Sequence, residues 1–255
     1  MNTAELHSQL TARRPFAGAT FTDIDWTDLA CEDASFTDCA FDRATFTGTR
    51  SAGARFVRCR FIRCRFSRAE LPDAAFEDCA FLTSGAQTEG ASYVLCNLRA
   101  ASFLRCDLSL AQLDRCDLFD ITMDQCILRG ARVQKSDFSH AYSRKLVTTR
   151  ATFRNCNFEL ADLSQARLPG CDLTGSRLRE ADLTEADFTG ATLRDCDLFQ
   201  AVLANTKLAN ADLRGAEISG LNLLHLASFT GLKITQGQQH IILDGIGIDV
   251  HPEPG

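Results

Sequence analysis

The chain has 255 residues, 45% of them apolar and 24% charged, with a formal net charge of −6. That negative balance disfavours nucleic acid as the main partner. No apolar run reaches the ~18 residues a membrane-spanning helix needs, and Met1 to Leu10 carries Glu5 and His7 without an apolar core, so no secretory leader is expected.

Residues 1–15 read as an N-terminal cap or a first irregular coil. From Phe16 onward every fifth residue is large and apolar, and the residue two before it is usually Ala, Cys or Ser. Five matches neither the helix period of about 3.6 nor the strand period of about 2. A fixed repeat of this kind marks a solenoid, in which each unit covers only its neighbours. Two inward side chains per five residues describe one short wall and one corner. Four walls close a square coil of about twenty residues, which stacks residue i on i+20 at the strand spacing of ~4.8 Å. The columns Phe16, Phe36, Phe56, Phe76 and Phe21, Phe41, Phe61, Phe81 fit that register. One phase runs from Phe16 to Phe81 and a second from Tyr93 to Leu223; twelve residues separate Phe81 from Tyr93 where ten would keep the phase, which predicts two inserted residues. About ten coils follow, a rod of roughly 48 Å. The expected fold is all-β: one solenoid over 16–223, with protruding loops near 82–92 and 140–150 and a C-terminal cap and dimerisation module over 224–255.

Regular walls repeat, so what is specific to this chain falls on the interruptions. Arg50, Arg55, Arg58, Arg60, Arg63, Arg65 and Arg68 form a run with no acid between Asp42 and Glu70. They take outward slots with no aromatic interleaved, which favours a solvated or subunit-facing surface over a nucleic-acid patch. The stretch Leu82 to Ser92 is rich in Gly, Ser and Thr and reads as an exposed loop, with Ser84, Gln87, Thr88 and Glu89 as candidate partner contacts. Near 140–150 the inward code fails twice, at Ser143 and Thr148. Tyr142, Ser143, Arg144, Lys145, Leu146, Val147, Thr149 and Arg150 are the candidate contacts there, since Tyr and Arg often dominate interfaces. After Leu223 the period stops. Thr235 and Gln238 form a capping pattern, which predicts a short helix through Ile241, Ile242 and Leu243 closed by Gly245. Ile246, Ile248 and Val250 then alternate as a strand would. Leu224, Leu226, Phe229, Ile241, Ile242, Ile246 and Ile248 exceed what a cap needs and are expected at a two-fold dimer interface.

Catalytic and metal signatures are missing. His7, His140, His225, His240 and His251 have no ligand or triad spacing. Eleven of the twelve cysteines take the small inward slot and Cys31 a large one, as small buried hydrophobes do. Free thiols, no metal, no cofactor and a reducing cytoplasm are expected. Asp172 and Asp182 precede inward residues and read as a solvated face. One outward series, Asp117, Asp137, Asn157, Arg177, Asp197, Glu217, is mostly acidic. A square coil leaves no groove and no convergent carboxylates, so a non-enzymatic binding protein is expected.

Ala181-Asp182-Leu183-Thr184-Glu185 and Ala211-Asp212-Leu213-Arg214-Gly215 match the motif A(D/N)LXX. The chain thus resembles the pentapeptide-repeat family, which implies a right-handed quadrilateral β-helix. Its interruptions are similar to those of the Qnr proteins and their relatives MfpA and AlbG. The stretch Ala131 to Phe138 running into Leu146-Val147-Thr148-Thr149-Arg150 resembles the Qnr passage around the larger loop, which shares T-T-R after two apolar residues. The insertion at 82–92 falls at the smaller loop, with Cys106-Asp107-Leu108-Ser109 at a similar distance beyond it. The ending Asp244-Gly245-Ile246-Gly247-Ile248 is similar to that family's helix followed by L-G-I, and this chain has a longer N-terminal region. The resemblance implies a two-fold homodimer that imitates a DNA duplex, docks on the basic DNA-gate surface of DNA gyrase or topoisomerase IV, and protects the enzyme from poisons without binding nucleic acid or membrane. The imitation is partial by charge: a duplex of roughly 48 Å carries about 28 phosphates, against a net −6 here. A structural or adaptor protein with another protein partner is the alternative.

Overall fold

Each five-residue unit becomes one wall and one corner, and walls stack on the walls of the coil beneath. A computed structural model describes residues 3–83, 88–143 and 146–251. In it Phe16 pairs with Phe36, Phe36 with Phe56 and Phe56 with Phe76, all in parallel. The first wall is a seven-stranded sheet running from Phe16–Ala17 to Ala151–Arg154. The second holds Thr20–Thr22, Ala40–Asp42 and Arg60–Ile62. The third holds Thr45–Thr47, Arg65–Ser67, Ser92–Val94, Gln112–Asp114 and Arg132–Gln134. Single bridges, such as Arg50 to Glu70 and Asn97 to Asp117, make the fourth.

The core follows from that register. Phe61 is buried and lies between Phe41 and Phe81, with ring centroids 4.8 and 4.6 Å away. Trp26, Phe46, Phe66 and Tyr93 form a parallel ladder in the third wall. Beyond Phe103 the same columns pass mainly to Leu, with Met123, Val133 and the rings of Phe138, Phe153, Phe158 and Phe188 among them. Among the described residues two side-chain polar atoms are caught inside without partners, the Trp26 Nε1 and the Tyr93 hydroxyl; burial pushes the Tyr93 pKa well up.

The small slot selects for more than size. Its hydroxyls and thiols donate to a carbonyl of the coil beneath: Ser176 Oγ to Phe153 O at 2.7 Å, Thr206 Oγ1 to Leu183 O at 2.8 Å, Cys59 Sγ to Phe36 O at 3.4 Å. Ser, Thr and Cys share this donor, and Ala leaves it out. Cys39, Cys59 and Cys79 occupy one column, with the Cys59 amide 3.4 Å from Cys79 Sγ. The twelve cysteines are buried free thiols. Burial pushes Cys31, Cys64, Cys171 and Cys196 up to about 12, so these are inert thiols rather than nucleophiles.

Corners need a left-handed residue two places after each large one, where φ is positive. Asp, Asn and Gly suit it, yet Arg and Leu also stand there, as at Arg63 and Leu110. Where Asp or Asn stands just before the large residue, it closes the turn. Asp172 Oδ1 accepts from the Thr174 amide at 3.0 Å and from its hydroxyl at 2.6 Å; Asp182 Oδ1 accepts from the Thr184 amide at 2.9 Å. Both carboxylates are half-buried. They are therefore turn-forming groups, not the solvated face expected.

Two insertions break the register. Phe76 pairs with Phe103, 27 residues on, and Met123 with Phe153, 30 residues on. The first insertion is thus seven residues beyond a normal coil, not two, because a whole frame is lost within it. The second is ten residues, two complete frames, which is why the phase survives across it.

Both ends are closed. The helix Thr3–Thr11 sets Leu6, fully buried, over the first coil. At the other end Gln238 is the plug. Its Oε1 accepts from the Thr235 amide, and its Nε2 donates to the carbonyls of Leu213 and Ala216 at 2.8 and 2.7 Å. The helix Gln239–Gly245 follows. Gly245 is needed for contact, since a Cβ there would strike the Leu221 carbonyl. The left-handed closing residue is Gly247, with φ of 80°. The Ile248 amide then folds back to the Leu243 carbonyl at 2.9 Å, a helix C-cap. Residues 246–250 accordingly form no strand.

Candidate partner-binding surfaces

The ten-residue insertion is an antiparallel hairpin, Ser139–Ser143 against Leu146–Thr149, bulged between Ala141 and Ser143. Its entry is set by Asp137, whose Oδ1 accepts from the Ser139 amide at 2.9 Å and its hydroxyl at 2.7 Å. Its root rests on Phe119, which is buried although it points out of the wall. His140 packs on that ring, and the guanidinium groups of Arg99 and Arg150 lie 4.9 and 5.4 Å from its centroid. Arg150 also pairs with Asp120, and Arg99 with Asp117. Arg150 is thus committed to the hairpin's root rather than free for a partner. The same unit recurs without a hairpin, where Arg179 covers Phe199 and pairs with Asp197.

The outer part of the hairpin has no such support. Tyr142 is 60% exposed, Leu146 57% and Val147 60%. Tyr142 touches His140 edge-on, Ser143 Oγ accepts from the Leu146 amide at 3.2 Å, and Thr149 pairs with Ser139. Arg144 and Lys145 lie outside the described residues, as do Ser84 and Gln87 of the first insertion. In that insertion Thr83 and Glu89 bridge antiparallel, Thr88 follows on its returning arm, and Thr83 Oγ1 accepts from the Arg63 amide at 3.0 Å.

The acidic series divides. Asp117 stacks under Asp137 on the fourth wall, whereas Asn157, Arg177, Asp197 and Glu217 stack on the second. The hairpin's ten residues move every later column by two walls. Nor are these carboxylates idle. Asp117 and Asp197 accept from the amides of Phe119 and Phe199, and Glu217 from that of Ser219.

At the C-terminal end the apolar set also divides. Ile242 belongs to the core, and Leu226 and Ile241 pack against it. Ile246 is half-buried. Leu224 at 74%, Phe229 at 42% and Ile248 at 47% are exposed, with Val250 beside them at 59%.

A family described as Pentapeptide repeats matches residues 94–130, 106–142, 156–195 and 196–227, in eight copies. The chain is a pentapeptide-repeat protein. No curated protein matches this pentapeptide-repeat sequence directly. Among solved structures it is similar to QnrB1, described as a plasmid-mediated fluoroquinolone resistance protein. Two trypsin-treated forms superpose with TM-scores of 0.70 and 0.69, covering 92% and 93% of this chain and 100% and 99% of theirs. The full-length form gives 0.64, covering 92% of this chain and 100% of its own. Identity is 22% in all three, a likeness of fold. Among the described residues no helix is long and apolar enough to cross a membrane.

Proposed function

We propose that this pentapeptide-repeat protein protects DNA gyrase, and by extension topoisomerase IV, from a topoisomerase poison by binding the enzyme, with no bond made or broken. The observation that carries this reading is the hairpin. Tyr142, Leu146 and Val147 stand together and are more exposed than any large apolar residue of the walls, such as Leu95 or Val202, and such a patch is stabilised by a partner. The likeness in fold to a fluoroquinolone resistance protein supports the choice of partner. Contacts from the hairpin and from Thr88 and Glu89 would favour enzyme states that hold the drug–DNA complex poorly. Two copies would join through Leu224, Phe229 and Ile248, giving a longer rod in the cytoplasm. The carboxylates on the second and fourth walls would help steer it to a basic surface.

The test is a supercoiling assay with purified gyrase and a fluoroquinolone. Added protein restores supercoiling in a concentration-dependent way. Unchanged inhibition with quinolone and with natural-product poisons alike would leave the adaptor reading in its place.

A further inference from the structure

Many basic side chains of the rod have an acid within reach on an adjoining coil. Arg43 pairs with Asp23, Arg58 with Asp38, Arg105 with Asp78, and Arg154 with Asp172. The third wall gathers several that have none. Arg65 lies between Thr45 and Ser92. Along its corner the chain stacks Gly48, Arg68, Leu95, Arg115 and Lys135. Arg63, on the adjoining corner, lies over Arg43, with Thr83 above. Arg63, Arg65, Arg68 and Lys135 are exposed, and none makes an ion pair among the described residues. Arg132 continues the Arg65 column three strands on, after Ser92 and Gln112, a rise of roughly 14 Å. The next residues in that column are Asp162 and Asp182, with Glu185 at their corner. One wall therefore changes sign along its length, and the net charge of −6 averages over both halves.

We propose that the basic half of the third wall binds the phosphate backbone of duplex DNA. Arginine on a rigid sheet suits phosphate oxygens, and the ~14 Å run spans about eight duplex phosphates. The groove along it is lined by Arg43, Arg63, Arg65 and Arg132, and Glu89 is the acid among its described lining residues. Among the described residues no aromatic is exposed there: the rings of this wall, Phe46, Phe66 and Tyr93, face the core. Base stacking, which single strands require, is therefore missing, whereas backbone contact to a duplex needs none. An acidic peptide is the competing occupant, but Arg65 and Arg132 stand three strands apart with Arg63 and Arg68 on the flanking corners, a spread that a duplex, stiff over that length, meets with phosphates along all of it. Binding is consequently independent of sequence. The proposal stands apart from the gyrase reading and needs no topoisomerase.

The probe is a short labelled duplex of mixed sequence, followed by fluorescence anisotropy with the full chain. Four phosphate contacts give a slope of log K on log salt of about −3.6. Arg65→Glu with Arg68→Glu weakens binding at least about tenfold and lowers the slope by about 2, while Arg177→Glu, on the second wall, does not. Arg65→Gln with Arg68→Gln serves if the reversal unfolds the chain. No binding at about 50 mM salt, a double variant that binds as well as the parent, or tighter binding of polyglutamate than of duplex each overturns the proposal.

Discussion

Phe61 and Tyr142 are both aromatic, and they stand in opposite surroundings. Phe61 is stacked between two like rings and buried; Tyr142 touches one histidine and is 60% exposed. The first belongs to a wall, where position i is explained by positions i−20 and i+20. The second belongs to a hairpin that no neighbouring coil explains. Walls account for stability, and the hairpin is where recognition has room to act.

The sharpest way to break this comparison is to truncate one member of each kind. Phe61→Ala leaves a cavity in a stacked column and should destabilise by about 3–5 kcal/mol, whereas Tyr142→Ala should move the denaturation midpoint little. Equal losses would show that the hairpin is part of the core. Phe119→Ala lies between the two, since it removes the hairpin's root. About 2 kcal/mol is expected from lost burial and two cation–π contacts, with faster amide exchange across 140–149. An effect confined to global stability, with hairpin exchange unchanged, would mean that Phe119 does not hold the insert.

A gain should come from Tyr93→Phe. The Tyr93 hydroxyl is buried without a partner, so removing it should stabilise by about 1 kcal/mol; a loss would mean that the hydroxyl is bonded in solution. The smallest effect is pH-dependent. Arg214, bonded to Asp212 at 2.6 Å, draws that carboxyl down to about 2. Its folded pKa is depressed, so its contribution is complete above the unfolded value of about 4 and is lost as pH falls toward 2. Asp212→Asn should flatten that part of the stability–pH curve, and an unchanged curve would remove this pair from the account.

The walls were legible in the sequence because burial repeats with the fold's own period: the columns through Phe36 and Phe41 are visible by eye. The hairpin was legible only as two missing large residues, Ser143 and Thr148. Its ten residues equal two frames, so phase alone does not reveal that chain has left the wall. The same property split the acidic series, since Asp137 and Asn157 lie twenty apart in sequence yet on different walls. Alternation at Ile246, Ile248 and Val250 resembled a strand, but Gly247 turns the chain back onto its helix. The Phe119 platform and the donor role of the small slot gave no periodic sign, because both depend on which carbonyl or ring the next coil presents.

One deletion tests the central claim. Removing residues 139–148 joins Phe138 to Thr149 and brings Phe153 into the next wall position, which restores an uninterrupted coil. The shortened protein should unfold at or above the temperature of the parent and fail to rescue gyrase supercoiling from a poison that the parent overcomes. A shortened protein that folds equally well and still protects gyrase fully would contradict the assignment of recognition to the hairpin.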